Sequence, residues 1–345
     1  DWGNRVMSTI NNVAKLAGVS RMTVSRVLNN SGYISQETRE RVEKAIAEIN
    51  YVPNALARSL RFKQTNIIAL ILTDITNPFF TSVARGVEDV AREQGFSVIF
   101  CNTDESEAEE IKYLNILLQK QIDGFLLVPA CDSIKSIAVL QARAVPAVVV
   151  DRRVPHGPVD SVRSDSEQGA YQLIRHLLAL GHTRIAVLSG SSTVSTAVDR
   201  VAGYTRALRE AGVDIDQQQI FFDQFTQGDG YLMARQALAA KPQPTALFAA
   251  NNFIAFGAVR AVREAGLRIP EHISIVAFDD LPQSMIWEPF LTVAAQLAYE
   301  IGQRATELLL SRLAGEGPAE TQEIMLPTTL IIRKSSAPPP SLPEP

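Results

Sequence analysis

Nine side chains fall where a parallel sheet would present them to a ligand. The stretch LTDITNPFF closes an apolar run and delivers Phe79 and Phe80. VVVD ends in Asp151, LFAANN runs into Asn251-Asn252, and IVAFDD ends in Asp279-Asp280. A helical stretch, STAVDRVAGY, carries Arg200, and FDQF supplies Phe225. This set suits a polyhydroxylated ligand. Carboxylates accept from vicinal hydroxyls, an amide both donates and accepts, a guanidinium donates in a fork, and phenyl faces stack on the C–H face of a ring. Blander readings stay open here: an Asp at a strand end also serves as a helix cap, and Phe79 or Phe80 also fits a core. Asp279 and Asp280 together would suggest an acid/base pair or a metal site, but adjacent residues leaving a strand point to opposite sides.

A second group has a different chemistry. VAKLAGVSRMTVSRVLN, residues 13–29, places Arg21, Met22 and Arg26 on the outer face of a short helix. Arginine binds guanine O6 and N7 bidentately, and methionine offers apolar contact, as to a thymine methyl. Ser20, Thr23, Ser25 and Asn29 are short polar groups suited to phosphate oxygens. Further on, Leu60 is flanked by Arg58, Arg61 and Lys63, where a leucine can wedge between base steps in a minor groove.

The elements that must hold these groups follow from periodicity. Thr9 caps a helix from Ile10, with Val13, Ala14 and Ala17 on one face, and Gly18 ends it. Ser20 caps a second helix with Val24, Val27 and Leu28 inward. Ser35 caps a third with Val42, Ile46 and Ile49 aligned. Two short helices around a Gly turn, crossed by a third, make a helix-turn-helix whose second helix enters the major groove. Pro53 stops the third helix, and ALARSLR after Asn54 is too short to be a stable helix alone. From Ile67 onward, strands expected at 66–74, 97–102, 124–129, 147–151, 184–189, 246–250 and 273–278 alternate with helices. Repeated βα units predict α/β lobes of parallel, doubly wound sheets. About 270 residues exceed one such sheet, so two lobes are expected, with a ligand cleft at the carboxyl ends of the strands.

Composition agrees and excludes other classes. The net charge of −4 hides an asymmetry: residues 1–63 hold ten Lys/Arg against five Asp/Glu, and the rest is acidic. A basic head on an acidic body fits nucleic-acid binding, although charge alone would also fit a solvated surface. No apolar run reaches membrane-spanning length, and the opening stretch lacks the apolar core of a secretory signal, so a cytoplasmic protein is expected. Met7 reads as a natural initiator. Cys101 and Cys131 are expected to be free thiols, and the four histidines (156, 176, 182 and 272) show no metal-ligand spacing. Neither a Walker loop, a G-x-S-x-G elbow, a G-x-G-x-x-G loop nor a C-x-x-C is present, so no enzyme, cofactor or metal site is expected.

The stretch INNVAKLAGVSRMTVSRVLNNSGYISQETRERVEKAIAEINYVPNALARSL resembles the headpiece and hinge helix of the LacI/GalR family of bacterial transcription regulators. NPFF, QGFSVIFCNTD, GHTRIAVLSG and GLRIPEHISIVAFDD are similar to blocks of the same family's body, itself similar to periplasmic sugar-binding proteins. The resemblance implies a headpiece at 7–53, a hinge helix and linker at 54–63, and a two-lobed effector and dimerisation domain at 64–335. It puts Arg21 and Met22 at the variable base-reading positions, Arg26 at the common one and Leu60 at the intercalating leucine. Thr9, Asn54 and Ala57 complete the expected DNA contacts. The implied effector contacts are Phe79, Phe80, Asp151, Arg200, Phe225, Asn251 and Asp279.

The implied protein is a homodimeric repressor on pseudo-palindromic double-stranded operator DNA, controlled by a sugar or sugar derivative. A regulator with a purine or other non-sugar co-repressor is the alternative. A solute-binding protein would share the body but has no use for a basic helix-turn-helix. Two departures from the family pattern stand out: Asn252 replaces the usual Asp, and Ala277 replaces the usual Gly. The tail from 336 to 345, with five prolines in its last nine residues, is expected to be disordered.

Overall fold

The computed structural model describes residues 9–52, 64–154, 158–215, 219–281 and 288–340. The chain divides after Thr65 into two compact units. Asn54, Ala57 and Leu60 lie outside the described residues.

The first unit holds α1 (Ile10–Ala17), α2 (Arg21–Leu28) and α3 (Gln36–Glu48). Its boundaries are set by local chemistry. Thr9, Ser20 and Ser35 each accept a backbone N–H from the first turn of the helix they precede, and Gly18 takes the left-handed φ of 65° that ends α1. Helices of eight residues are unstable alone. They persist here because Val13, Ala14, Ala17, Val24, Val27, Val42 and Ala45 close into one core, with Leu28, Ile46 and Ile49 packed around it.

The second unit runs β1 (Ile67–Leu72), α4 (Pro78–Glu93), β2 (Ser97–Asn102), α5 (Glu107–Gln119), β3 (Gly124–Leu127), α6 (Lys135–Gln141), β4 (Ala147–Val150) and β5 (Asp160–Ser164). It continues with α7 (Ser166–Ala179), β6 (Ile185–Ser189), α8 (Ser195–Glu210), β7 (Ile220–Phe222), α9 (Gln227–Ala239), β8 (Ala246–Ala249), α10 (Asn252–Glu264), β9 (Ser274–Phe278) and β10 (Thr292–Ala295). Last come α11 (Ala298–Ala314), β11 (Glu323–Leu326) and β12 (Thr329–Ile331).

Two six-stranded sheets result, ordered β11-β5-β4-β3-β1-β2 and β12-β10-β9-β8-β6-β7. All neighbours run parallel except β12, which is antiparallel to β10. Helices cover both faces, so central strands are apolar on both sides. In β1, Ile68, Leu70 and Leu72 enter one core while Ala69 and Ile71 enter the other. In β6, Ala186 and Leu188 oppose Ile185 and Val187 in the same way.

The lobes are not continuous in sequence. The chain passes between sheets after Ser164, after Ala295 and after Leu326. Helix α11 follows β10 of the second sheet, yet buries Ile301, Ala305 and Leu309 against the first. Its backbone touches α4: a Cβ on Gly302 would lie 2.1 Å from Val83 O. The crossovers bring in β5, β10, β11 and β12, which the apolar-run reading passes over, as it does β7. These strands have three to five residues, and β5 alternates buried with half-buried positions, so none shows a long apolar signal.

The tail departs from expectation. Ser336 and Ala337, placed in a disordered segment by composition, are bonded to the body. Ser336 Oγ lies 2.9 Å from both His176 Nε2 and Thr292 Oγ1. Ala337 O accepts from His182 Nε2 at 2.8 Å and from Ser274 Oγ at 3.0 Å. Buried polar groups where β9 and β10 begin require partners, and these two residues supply them. The boundary of the packed body therefore lies beyond Ala337. Residues 341–345 are outside the described set.

Candidate functional site

In each sheet the chain leaves the central strand toward opposite sides: β1 lies between β2 and β3, and β6 between β7 and β8. Such a reversal opens a crevice at the carboxyl ends of the strands. A cavity of about 160 Å³ lies there, between the two sheets of the second unit.

All seven expected effector contacts line this cavity; Asn252 and Asp280 do not. Asp151 follows β4 and Asp279 follows β9, both 6% exposed. Burial pushes the Asp151 carboxyl up to about 6; Arg152 and Arg200 pull it down, and Asp279 adds to the rise. Burial also raises Asp279, against the pull of Arg200 and of Gln296, whose Nε2 donates to Asp279 Oδ1 at 2.5 Å. Arg200 extends from α8, 3% exposed, with Nη1 donating to Ala250 O at 2.5 Å. Its guanidinium lies 3.8 Å from the centre of the Phe278 ring. Five buried polar atoms of the lining have no hydrogen-bond partner: Thr73 Oγ1, Arg152 Nε, Gln296 Oε1, and the acceptor–donor pair Asp151 Oδ1 and Arg200 Nε. A buried polar atom without a partner is costly, so this pair is chemistry suited to a ligand with hydroxyls.

The aromatic walls are built by local sequence. Asn77 caps α4 through Phe79 N–H, and Pro78 starts the helix, which brings in Phe79 and Phe80 edge to face at 5.0 Å. Gly190 leaves room for Phe225; a Cβ there would fall 2.2 Å from the ring. Asn251 caps α10, with Oδ1 accepting from Ile254 N and Nδ2 donating to Phe225 O. Its amide is therefore already engaged. Asp280 points away from the cavity, into a bidentate pair with Arg333 at 2.7 Å.

Strand-end reading missed several lining groups. Arg152, next to Asp151, is 4% exposed and clamped by both oxygens of Glu105 at 2.6 Å. Glu105 sits in a turn where Asp104 and Glu105 both have positive φ. Gln296 follows β10, a strand without a long apolar run. Asn77, which precedes the rings in NPFF, also lines the cavity. Asn252, the departure from the family Asp, donates Nδ2 to Asn77 Oδ1 at 3.0 Å, a buried bond between lobes.

In the first unit Arg21, Met22 and Arg26 are exposed on α2, Met22 at 65%. The smaller polar groups are tied into the helix itself. Ser20 Oγ accepts from Thr23 N and contacts Thr23 Oγ1, while Asn29 Nδ2 donates to Ser25 O. Thr9 caps α1. Among the described residues no group of three or more His, Cys, Asp or Glu is arranged to hold a metal. No helix among them is long and apolar enough to cross a membrane.

Residues 65–334 match the model of periplasmic binding proteins and the sugar-binding domain of the LacI family, and residues 9–54 match the model of bacterial regulatory proteins of the lacI family. The chain is 37% identical over 334 residues to the HTH-type transcriptional regulator DegA of Bacillus subtilis, covering 96% of this chain and 98% of that one. A structure of the lac repressor dimer bound to operator and the anti-inducer ONPF superposes with TM-score 0.84 at 32% identity, over 96% and 99% of the two chains. A LacI-family regulator from Enterococcus faecium with bound ribose matches at TM-score 0.71 and 34% identity, over 79% of this chain and 99% of that one.

Proposed function

The chain belongs to the LacI family of bacterial regulatory proteins, and from that premise we propose a repressor whose hold on operator DNA is set by a sugar or sugar derivative between its lobes. It is a DNA-binding transcriptional regulator with an effector domain, and not an enzyme. The carrying observation is the unpartnered Asp151 Oδ1 beside the unpartnered Arg200 Nε in a cavity with phenyl walls. Vicinal hydroxyls donate to the carboxylate, a ring or hydroxyl oxygen accepts from the guanidinium, and Phe79, Phe80 and Phe225 cover the C–H faces. A flat nucleobase has fewer donors to offer the two carboxylates. The ribose-bound relative and the sugar-binding description of the family model support the same class.

On the DNA side, Arg21, Met22 and Arg26 read base edges. Ser20, Thr23, Ser25, Asn29 and Thr9 sit at the phosphates, with helix caps presenting N–H groups. Asn54, Ala57 and Leu60 act in the hinge segment, where Leu60 wedges the minor groove. A homodimer matches two inverted half-sites, as in the operator-bound lac repressor dimer. The protein works in the cytoplasm, where the operator is. The division at 53/54 and 63/64 separates headpiece, hinge and effector domain. An inducing ligand binds the DNA-incompetent form more tightly, since equal affinity for both forms shifts nothing.

Thermal unfolding against panels of sugars and nucleobases tests the effector class, because a ligand of the native state raises the transition. A shift with a sugar that also changes operator anisotropy supports the reading. A shift with nucleobases alone, or none with any sugar, overturns it.

A further inference from the structure

The charge around the cavity narrows the class of effector further, provided that the effector is a sugar. Five carboxylates line it: Asp74, Asp104, Glu105, Asp151 and Asp279. Two cations oppose them, Arg152 and Arg200. The devices that proteins use to hold a phosphate group are largely committed here, and the carboxylates outnumber what is left.

The first device is the arginine fork, which grips phosphate with two parallel N–H bonds. Both terminal nitrogens of Arg152 go to Glu105, and Nη1 also donates to Pro129 O at 2.7 Å. Arg200 gives Nη1 to Ala250 O and lies over Phe278. Arg152 retains only Nε, without a hydrogen bond and 3.9 Å from Asp151 Oδ2; Arg200 keeps Nε, buried without a hydrogen bond, with Nη1 given to the backbone, beside the Asp151 and Asp279 carboxylates that already pull on its charge. The second device is the helix N-terminus. At α4 the first residue is Pro78, which has no N–H, and Phe79 N–H is taken by Asn77. At α10, Asn251 accepts from Ile254 N. Helix α8 has Val194 at its cap position and so no side-chain cap, but a helix end carries only about half a positive charge, too little against five carboxylates.

Glu105 is the residue that withholds Arg152. Its backbone and that of Asp104 take φ of 59° and 49°. A non-glycine residue holds such a conformation only where its surroundings fix it. The turn brings a carboxylate across 47 positions of sequence onto a guanidinium 4% exposed.

We infer that the cleft takes an effector without negative charge and rejects phosphorylated sugars, with Glu105 as the specificity-determining residue that occupies the Arg152 fork. A phosphate ester brings a charge near −2 at neutral pH against two buried carboxylates, Asp151 and Asp279, and a third, Glu105, held on Arg152.

Calorimetric titration of the full chain with matched pairs tests this: D-ribose and its 5-phosphate, D-glucose and its 6-phosphate, D-fructose and its 6-phosphate. At least one neutral sugar is expected to bind, and its ester at least about tenfold more weakly. Glu105→Gln frees the fork and is expected to narrow that gap by about threefold or more. Asp104→Asn, an exposed turn position whose backbone Asn tolerates, is expected to narrow it in the same direction. An ester that binds as tightly as its parent overturns the inference and leaves the sugar reading standing. An unchanged gap in both folded variants overturns the role given to these carboxylates. If neither member of any pair binds, the sugar reading fails and this inference falls with it.

Discussion

Asp151 and Asp279 occupy equivalent positions in the two lobes. Each follows the strand that lies two places from the central one, each has a left-handed backbone, with φ of 66° and 70°, and each is 6% exposed. Burial raises both carboxyls. Two strained, buried, like-charged groups facing one cavity are a cost that the fold carries without return until a donor ligand arrives.

Asp151→Asn is therefore expected to stabilise the free protein while weakening effector binding. Asn tolerates the left-handed backbone and buries no charge. A shift from 3.8 to about 6 corresponds to up to about 3 kcal/mol at neutral pH. Urea denaturation without ligand should show a gain, and titration with the effector a loss of about tenfold or more. Lower stability combined with unchanged affinity would contradict this.

Effector affinity is expected to fall as pH drops through about 6, where Asp151 takes up its proton. Its folded pKa lies above the unfolded value. Its contribution to the free protein's stability is thus complete below about pH 4 and lost as pH rises through about 6. A hydroxyl-donating ligand favours the ionised form, so binding runs the other way, by roughly tenfold per pH unit below 6. Affinity measured from pH 5 to 8 checks this, and a flat profile rejects it.

His182 should act in the opposite direction on stability. Burial lowers its pKa, only partly offset by Ala337 O. With a folded pKa below the unfolded one, its contribution is present above about pH 6.5 and lost as pH falls through the folded value. Urea midpoints at pH 7.5 and 5.5, compared in the Asp151→Asn background with and without His182→Gln, separate its share from that of His176, which burial also lowers. His182→Gln should flatten that difference.

Arg26→Ala is expected to weaken specific operator binding and spare effector binding, because its exposed guanidinium lies on α2 of the first unit. The loss of a bidentate base contact is about 1–3 kcal/mol. Anisotropy with operator, run beside effector titration, separates the two. Unchanged operator affinity would remove Arg26 from the recognition surface.

Asn252→Asp should weaken effector binding by about threefold to tenfold. It removes the Nδ2 donor that holds Asn77 Oδ1 across the cleft. Asn77 cannot rotate its amide in response without giving up Phe79 N–H. Calorimetry on the variant checks it, and wild-type affinity would show that the bond does not matter to closure.

Much of this molecule is legible along the chain. Thr9, Ser20 and Ser35 announce helices because a cap acts over three residues, and Gly18 announces a turn because its backbone must be left-handed. IIALIL announces a strand buried on both faces because such strands show no polar side. The seven cavity residues stood out because strand ends are where these sheets face ligands and because the family blocks place them. The Arg152–Glu105 clamp, the Gln296–Asp279 bond and the Asn77–Asn252 bridge did not, since their partners lie 47, 17 and 175 positions apart.

What the sequence determined by itself was the short-range part: caps, apolar runs, the basic first unit and the residue types at the strand ends. Only tertiary structure decided that α11 packs on the first lobe after leaving the second, that Ser336 and Ala337 belong to the body, and that Arg152 is withheld by Glu105. Periodicity is a property of a few neighbouring residues. Which charge meets which across a cleft depends on how two sheets, crossed three times by one chain, pack together.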